Sequence, residues 1–181
     1  MTDGKTRALR IKMIIMDVDG TLTDGRLFVL PDGEEVKSYN VRDGLGILLA
    51  HLVGFKTAII TGKTSRALEM RSAKLRIDEL HQGILDKKPV LEAILAKHGL
   101  GADEVAYIGD DLGDLAVIKS VGLAGAVADA HPEIKKNCHF ISEQAGGRGA
   151  VREFIEFILG AQGKWAEVEE KVKNLSIRNI G

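Results

Sequence analysis

The chain has 181 residues, 45% hydrophobic and 28% charged, with a formal net charge of −1, enough to bury about 70% of its unfolded surface in one domain. Balanced charge and 4% aromatic residues exclude the basic and base-stacking signatures of nucleic-acid binding. Cys138 is the single cysteine, which excludes an internal disulfide or a thiolate metal cage. Met1 to Lys5 lead into no signal-peptide hydrophobic region and no apolar run could span a bilayer, so a cytoplasmic protein is expected.

The run Ile11 to Met16 is short, uninterrupted by acids and β-favouring, as a strand buried on both faces of a parallel sheet should be. It stops at Asp17-Val18-Asp19-Gly20-Thr21. Two carboxylates so close repel by roughly 4 kcal/mol at ~4 Å with an effective dielectric near 20, so the pair calls for a cation or a proton unless it only caps a turn. Two extended segments around Pro31-Asp32-Gly33 predict a β-hairpin over about residues 25–39. After Asn40-Val41-Arg42-Asp43-Gly44, the spacing of Leu45, Leu48, Leu49, Leu52 and Val53 predicts a helix that stops at Gly54.

Lys56 to Ile60 reads as a second buried strand ending at Thr61-Gly62, with a helix over about 65–75 and a short extended piece near Leu80. Asp86 caps a helix with Pro89 in its first turn and Gly99 as its stop. Glu104 to Ile108 is a third strand, ending at Gly109-Asp110-Asp111-Leu112-Gly113-Asp114; a short helix to about Ser120 follows, capped by Gly122. Leu123 to Ala128 and Phe140-Ile141 read as further strands, and Gly146 to Gly149 as a loop before a helix carrying Val151, Phe154, Ile155, Ile158 and Leu159. This alternation predicts an α/β fold: a three-layer, doubly wound parallel sheet over residues 1–163. The tail 164–181 carries a narrow stripe of Trp165, Val168, Val172 and Leu175, which packs either on the parent domain or on a neighbouring subunit.

Three strands thus end in groups useful to a phosphate: Asp17 and Asp19, Thr61, and Asp110 and Asp111, with Lys87 opening a helix. Singly each is a turn, a cap or a solvated charge. Their order resembles the haloacid-dehalogenase-like phosphohydrolase superfamily over almost the whole chain. The resemblance implies a Rossmann-like fold and a Mg²⁺ cofactor held by Asp17, Asp110 and the Asp19 carbonyl, since hard cations take oxygen ligands. It implies Asp17 as the nucleophile forming an aspartyl-phosphate, Asp19 as acid and base, and Thr61 and Lys87 as holders of the phosphoryl oxygens. Asp111 and Asp114 would orient metal-bound water or brace the loop, with helix capping as the plainer role. A phosphatase or phosphomutase is implied, because the superfamily's dehalogenases lack the second Asp and its transport ATPases carry Thr there.

Neither gap between these motifs holds a separate folded cap, so a neighbouring subunit's hairpin or tail is expected to close the site. Asp17 to Gly25, Asn40 to Gly44, Val127-Ala128-Asp129-Ala130-His131-Pro132 and Ala145 to Glu153 further resemble the 3-deoxy-D-manno-octulosonate 8-phosphate phosphatases, from Lys12 to Gly163. That family is a capless tetramer of lipopolysaccharide biosynthesis. The likeness implies that Asn40, Val41, Arg42, Asp43 and Gly44 line the sugar-acid site and that Arg71 binds the anionic substrate. Arg42 and Arg148 would meet the substrate carboxylate or, more plainly, form surface salt bridges. Leu48 and Lys63 depart, each standing where arginine is expected, and lysine lacks the bidentate fork. A nonulosonate 9-phosphate or a broader range of sugar phosphates therefore stays open as the substrate, as does a non-catalytic regulatory or assembly role. His131 is given no catalytic role, because the mechanism needs no imidazole.

Overall fold

The computed structural model describes residues 2–33 and 35–174. At the centre lies β1 (Met13–Met16), whose four side chains are buried on both faces of the sheet. It pairs in parallel with β4 (Lys56–Ile60) on one side and β6 (Val105–Gly109) on the other. With β5 (Glu79–His81), β7 (Leu123–Ala126) and β8 (Phe140–Ile141), the sheet has the order β5-β4-β1-β6-β7-β8, all parallel. The predicted α/β class and strand alternation are both present.

From β1 the chain steps outward to β4 and β5 through α2 (Val41–Leu52) and α3 (Arg66–Leu75), then returns across the sheet through α4 (Lys87–His98) to β6. It continues the other way through α5 (Leu115–Ile118) and α6 (Pro132–Lys136). Right-handed crossovers in opposite directions put α2 and α3 on one face and α4 to α6 on the other, which makes three layers. Here α4 packs on α5, and α7 (Ala150–Ala161) packs on α2 and on α1 (Thr2–Ala8). The chain reverses direction beside β1, between it and β6. In such sheets ligands bind outside the carboxyl ends of the strands at that switch point.

Several local expectations need correction. Helix α2 begins at Val41 with Asn40 as its N-cap, Oδ1 accepting from Arg42 N at 2.8 Å, so the Asn40 to Gly44 motif forms the first turn rather than a preceding loop. The hairpin strands β2 (Phe28–Val29) and β3 (Glu35–Val36) are two residues each. Gly122 is not a helix cap: α5 ends at Ile118, and a Cβ on Gly122 would lie 2.4 Å from the Asp103 carbonyl oxygen, so glycine permits a close backbone crossing. Helices α1 and α6 were missed, being too short to show apolar periodicity. In the tail, α8 (Trp165–Asn174) packs on α2 through Val168, and Lys171 Nζ donates to the Leu52 carbonyl at 2.7 Å. Leu175 lies outside the described residues.

Candidate active site

Each strand end delivers its polar group to the same place. Asp17 continues β1, its N–H donating to the Ile108 carbonyl of β6 at 3.1 Å. Asp110 follows β6 and Thr61 follows β4, so the two flank Asp17 on either side. Carboxylate oxygens of Asp17, Asp110 and Asp114 all lie within 4.8 Å of one another. Thr61 is buried, its N–H donating to the His81 carbonyl at 3.0 Å.

Lys87, the first residue of α4, bridges this cluster. Its Nζ donates to Asp17 Oδ1 at 2.5 Å, to Asp114 Oδ1 at 2.6 Å and to the Tyr107 hydroxyl at 3.2 Å. Burial by itself would lower the Lys87 pKa, but the Asp17 and Asp114 carboxylates outweigh it and hold the ammonium above its ordinary value. Asp114 is fully engaged: Oδ1 takes Lys87 and the Tyr107 hydroxyl, while Oδ2 accepts from the N–H groups of Asp110 at 3.0 Å and Asp111 at 3.3 Å. Asp114 thus braces the loop and fixes Lys87, which leaves its oxygens poorly placed for a metal. Asp111 is exposed and caps the following turn, its Oδ1 accepting from Leu112 N at 2.7 Å.

The carboxylates are short of positive charge. Asp17 is raised to about 6, first by burial and then by the Asp114 charge. Asp110 is raised to about 8, first by burial and then by the Asp17 charge. Three clustered carboxylates, on Asp17, Asp110 and Asp114, face one ammonium group, on Lys87, while Asp19 has its own partner in Lys37, whose Nζ donates to its Oδ1. Two negative charges are left over, and a divalent cation on Asp17 and Asp110 satisfies them. The residues present fit Mg²⁺.

The turn holding Asp19 is built for close approach. Gly20 has φ +92, and a Cβ there would sit 2.1 Å from Asp110 Oδ2. Thr21 Oγ1 donates to Asp110 Oδ1 at 2.9 Å and tethers the two loops. The glycine-rich loop seats on this turn: Gly147 N donates to the Thr21 carbonyl at 2.9 Å, and a Cβ on Gly146 would lie 1.7 Å from the Gly20 oxygen. Asp129 Oδ1 holds Gly146 N at 2.9 Å, and His131 N donates to the Asp110 carbonyl at 2.8 Å while its Nδ1 caps α6. His131 is engaged in these backbone contacts, and the two glycine- and aspartate-containing motifs support the nucleophile loop from outside.

The expected sugar-acid residues are scattered. Val41 and Arg42 are exposed on the first turn of α2. Asp43 is turned inward, its Oδ1 accepting from Arg152 N at 2.8 Å at the start of α7. Gly44 makes room for Arg71, whose Nη2 would lie 2.2 Å from a Cβ there. Arg71 Nε, Asp43 Oδ2, Ser72 Oγ and the Tyr39 hydroxyl are buried without hydrogen-bond partners around a cavity of about 10 Å³, room for a single water. Arg148 is exposed and 3.4 Å from Asp24. Lys63 Nζ lies 3.3 Å from Glu35 Oε2 on the hairpin. Lys37 was missed by sequence reasoning, although the alternation of Glu35, Lys37 and Tyr39 with exposed Val36 and Ser38 is a readable signal.

A parallel sheet with an aspartate-rich switch point, a strand-end threonine and a helix-opening lysine defines a class of hydrolase. Accordingly, the sequence pattern of the haloacid dehalogenase-like hydrolases matches residues 67–155. The 3-deoxy-D-manno-octulosonate 8-phosphate phosphatase KdsC of Salmonella typhi is 44% identical over 164 residues, covering 91% of this chain and 87% of that protein. The crystal structure of the Yersinia pestis 3-deoxy-D-manno-octulosonate 8-phosphate phosphatase superposes with a TM-score of 0.89 at 44% identity, covering 91% of this chain and 89% of that one. That of the Moraxella catarrhalis phosphatase, in complex with magnesium, phosphate and KDO, gives 0.92 at 35% identity, covering 95% and 99%. The chain belongs to the 3-deoxy-D-manno-octulosonate 8-phosphate phosphatase family.

Proposed function

We propose that this chain is a Mg²⁺-dependent phosphatase that hydrolyses 3-deoxy-D-manno-octulosonate 8-phosphate in the synthesis of lipopolysaccharide precursors. The observation that carries this is Asp17, buried at the switch point, held by Lys87 on one side and crowded by Asp110 on the other. Asp17 and Asp110, with the Asp19 carbonyl, would hold the metal. Bound Mg²⁺ neutralises the charge that these carboxylates and a phosphate dianion bring together.

Asp17 attacks phosphorus in line, its bond to phosphorus forming as the bond to the sugar oxygen breaks. Asp19 hands its proton to the departing alkoxide, then takes one from the water that releases phosphate and restores the Asp17 carboxylate. Thr61 and Lys87 hold the non-transferring phosphoryl oxygens, with Asp114 and Asp111 as supports. On the sugar-acid side Asn40, Val41, Arg42, Lys63 and Arg148 would face the substrate, Arg42 and Arg148 being the exposed cations for its carboxylate, while Asp43, Gly44 and Arg71 pack behind them and hold the first turn of α2 in place.

The working unit is residues 1–163, with the segment from residue 164 as a helical tail, assembled as a homotetramer in the cytoplasm. The hairpin supports this, since Leu27, Phe28, Val29, Leu30 and Val36 are all exposed beside the site, with Phe28 57% and Val29 63% accessible. No helix among the described residues is long and apolar enough to cross a membrane. Sedimentation of the chain as a monomer would remove the assembly from this reading.

A second reading, a nonulosonate 9-phosphate as substrate, is favoured by Lys63 being engaged by Glu35 and by Leu48 packing on the core. Phosphate release with Mg²⁺ from the octulosonate 8-phosphate, a nonulosonate 9-phosphate and hexose phosphates decides. Preference for the octulosonate, abolished by chelation, is expected. Preference for the nonulosonate installs the second reading, and no release from any compound leaves a non-catalytic partner.

A further inference from the structure

The inward row of the hairpin packs toward the reaction site and touches its loops at two points. Lys37 is only 3% exposed at its side chain, although it belongs to a hairpin whose apolar residues face outward. A buried ammonium is costly unless it is paired, and its partner is Asp19 Oδ1. Two residues earlier, Glu35 accepts from Lys63, beside the strand-end Thr61. Two residues later, Tyr39 buries its hydroxyl without a partner. The hairpin is therefore docked on the two loops that carry Asp19 and Thr61.

We propose that Lys37 is a positioning residue for the proton transfer made by Asp19, an inference that rests on the acid–base role given to Asp19 above. Asp19 follows the nucleophile by two residues, but its carboxylate is not one of the Asp17, Asp110 and Asp114 cluster and takes its own partner, Lys37. The ammonium of Lys37 fixes the side chain by occupying Oδ1, which leaves Oδ2 to exchange the proton. As the bond from phosphorus to the leaving oxygen breaks, the proton on Oδ2 moves to that oxygen and Asp19 is left as a carboxylate beside the ammonium. Placement matters here because proton transfer requires hydrogen-bond reach to one oxygen of the substrate. The hairpin thereby supplies part of the chemistry as well as a surface.

The test compares phenyl phosphate, whose leaving group needs a proton, with p-nitrophenyl phosphate, whose leaving group departs as a stable anion. Neither carries the sugar acid, so changes in sugar recognition do not enter. In Lys37→Met, kcat/KM for phenyl phosphate should fall by about 10-fold or more relative to that for p-nitrophenyl phosphate, and Lys37→Arg should restore most of it. Equal losses on both substrates, or no loss, would overturn the positioning role. Asp19→Asn, measured alongside, separates the two layers. If it leaves phenyl phosphate hydrolysis intact, the acid–base role of Asp19 is itself wrong and the inference about Lys37 goes with it.

Discussion

Lys87 Nζ and Asp17 Oδ1 lie 2.5 Å apart across 70 residues of sequence. This contact joins the first residue of α4 to the end of the central strand and places a fixed cation where phosphoryl oxygens would gather. In Lys87→Met, turnover should fall by about 10²–10³-fold, the loss expected for one preorganised electrostatic partner. The buried Asp114 also loses its cation, so the melting temperature without Mg²⁺ should drop as well. Steady-state kinetics and a thermal melt check the two effects; turnover within a few-fold of the parent would rule out the role given to Lys87.

The raised pKa values of Asp17, about 6, and Asp110, about 8, set a pH dependence. Both are raised above their ordinary 3.8, so the metal-free fold holds more protons than the unfolded chain between about pH 4 and 8, and its stability falls as pH rises through that window. Mg²⁺ binds the deprotonated carboxylates, so it should stabilise more at pH 8 than at pH 6. Thermal melts at the two pH values, with metal and with chelator, measure the difference. A metal-induced shift that is larger at pH 6 contradicts the assignment of these carboxylates as ligands.

Gly20→Ala would place a Cβ 2.1 Å from Asp110 Oδ2 at a φ of +92. The strain and the clash act on the same turn, so Asp19 and Asp110 must both move. Mg²⁺ affinity and turnover should collapse while the far-ultraviolet circular dichroism spectrum stays that of the parent. Isothermal titration with Mg²⁺ makes the comparison.

Asp43 separates bracing from recognition. It is 1% exposed and holds Arg152 N at 2.8 Å, so Asp43→Ala should cost about 1–3 kcal/mol of stability by leaving buried donors at the start of α7 unmet. Asp43→Asn keeps an acceptor and should cost less. Denaturant unfolding reads both. A rise in KM for the octulosonate 8-phosphate in Asp43→Asn, with stability unchanged, would instead make Asp43 a substrate contact.

Local signals along the chain were enough to place the strands, their succession and the polar groups at their ends. Buried parallel strands are short, uncharged runs, and helix starts such as Ser65 and Asp86 are written in adjacent residues, so both signals are local. Asp17, Thr61, Lys87 and Asp110 were legible because each sits at such a boundary.

Which of the remaining polar groups meet is set by the packing of distant elements. Asp43 and Arg152 are 109 residues apart; Lys37 and Asp19 are 18 apart, joined through the hairpin, and the alternation that turns Lys37 inward does not say which group it meets. Whether Asp114 binds a metal or braces Lys87 depends on a competition among donors from α4, β6 and the loop that follows β6. Such contacts arise from how layers settle against each other, and a charged side chain turns inward only after its partner has been brought there by the packing of apolar residues elsewhere.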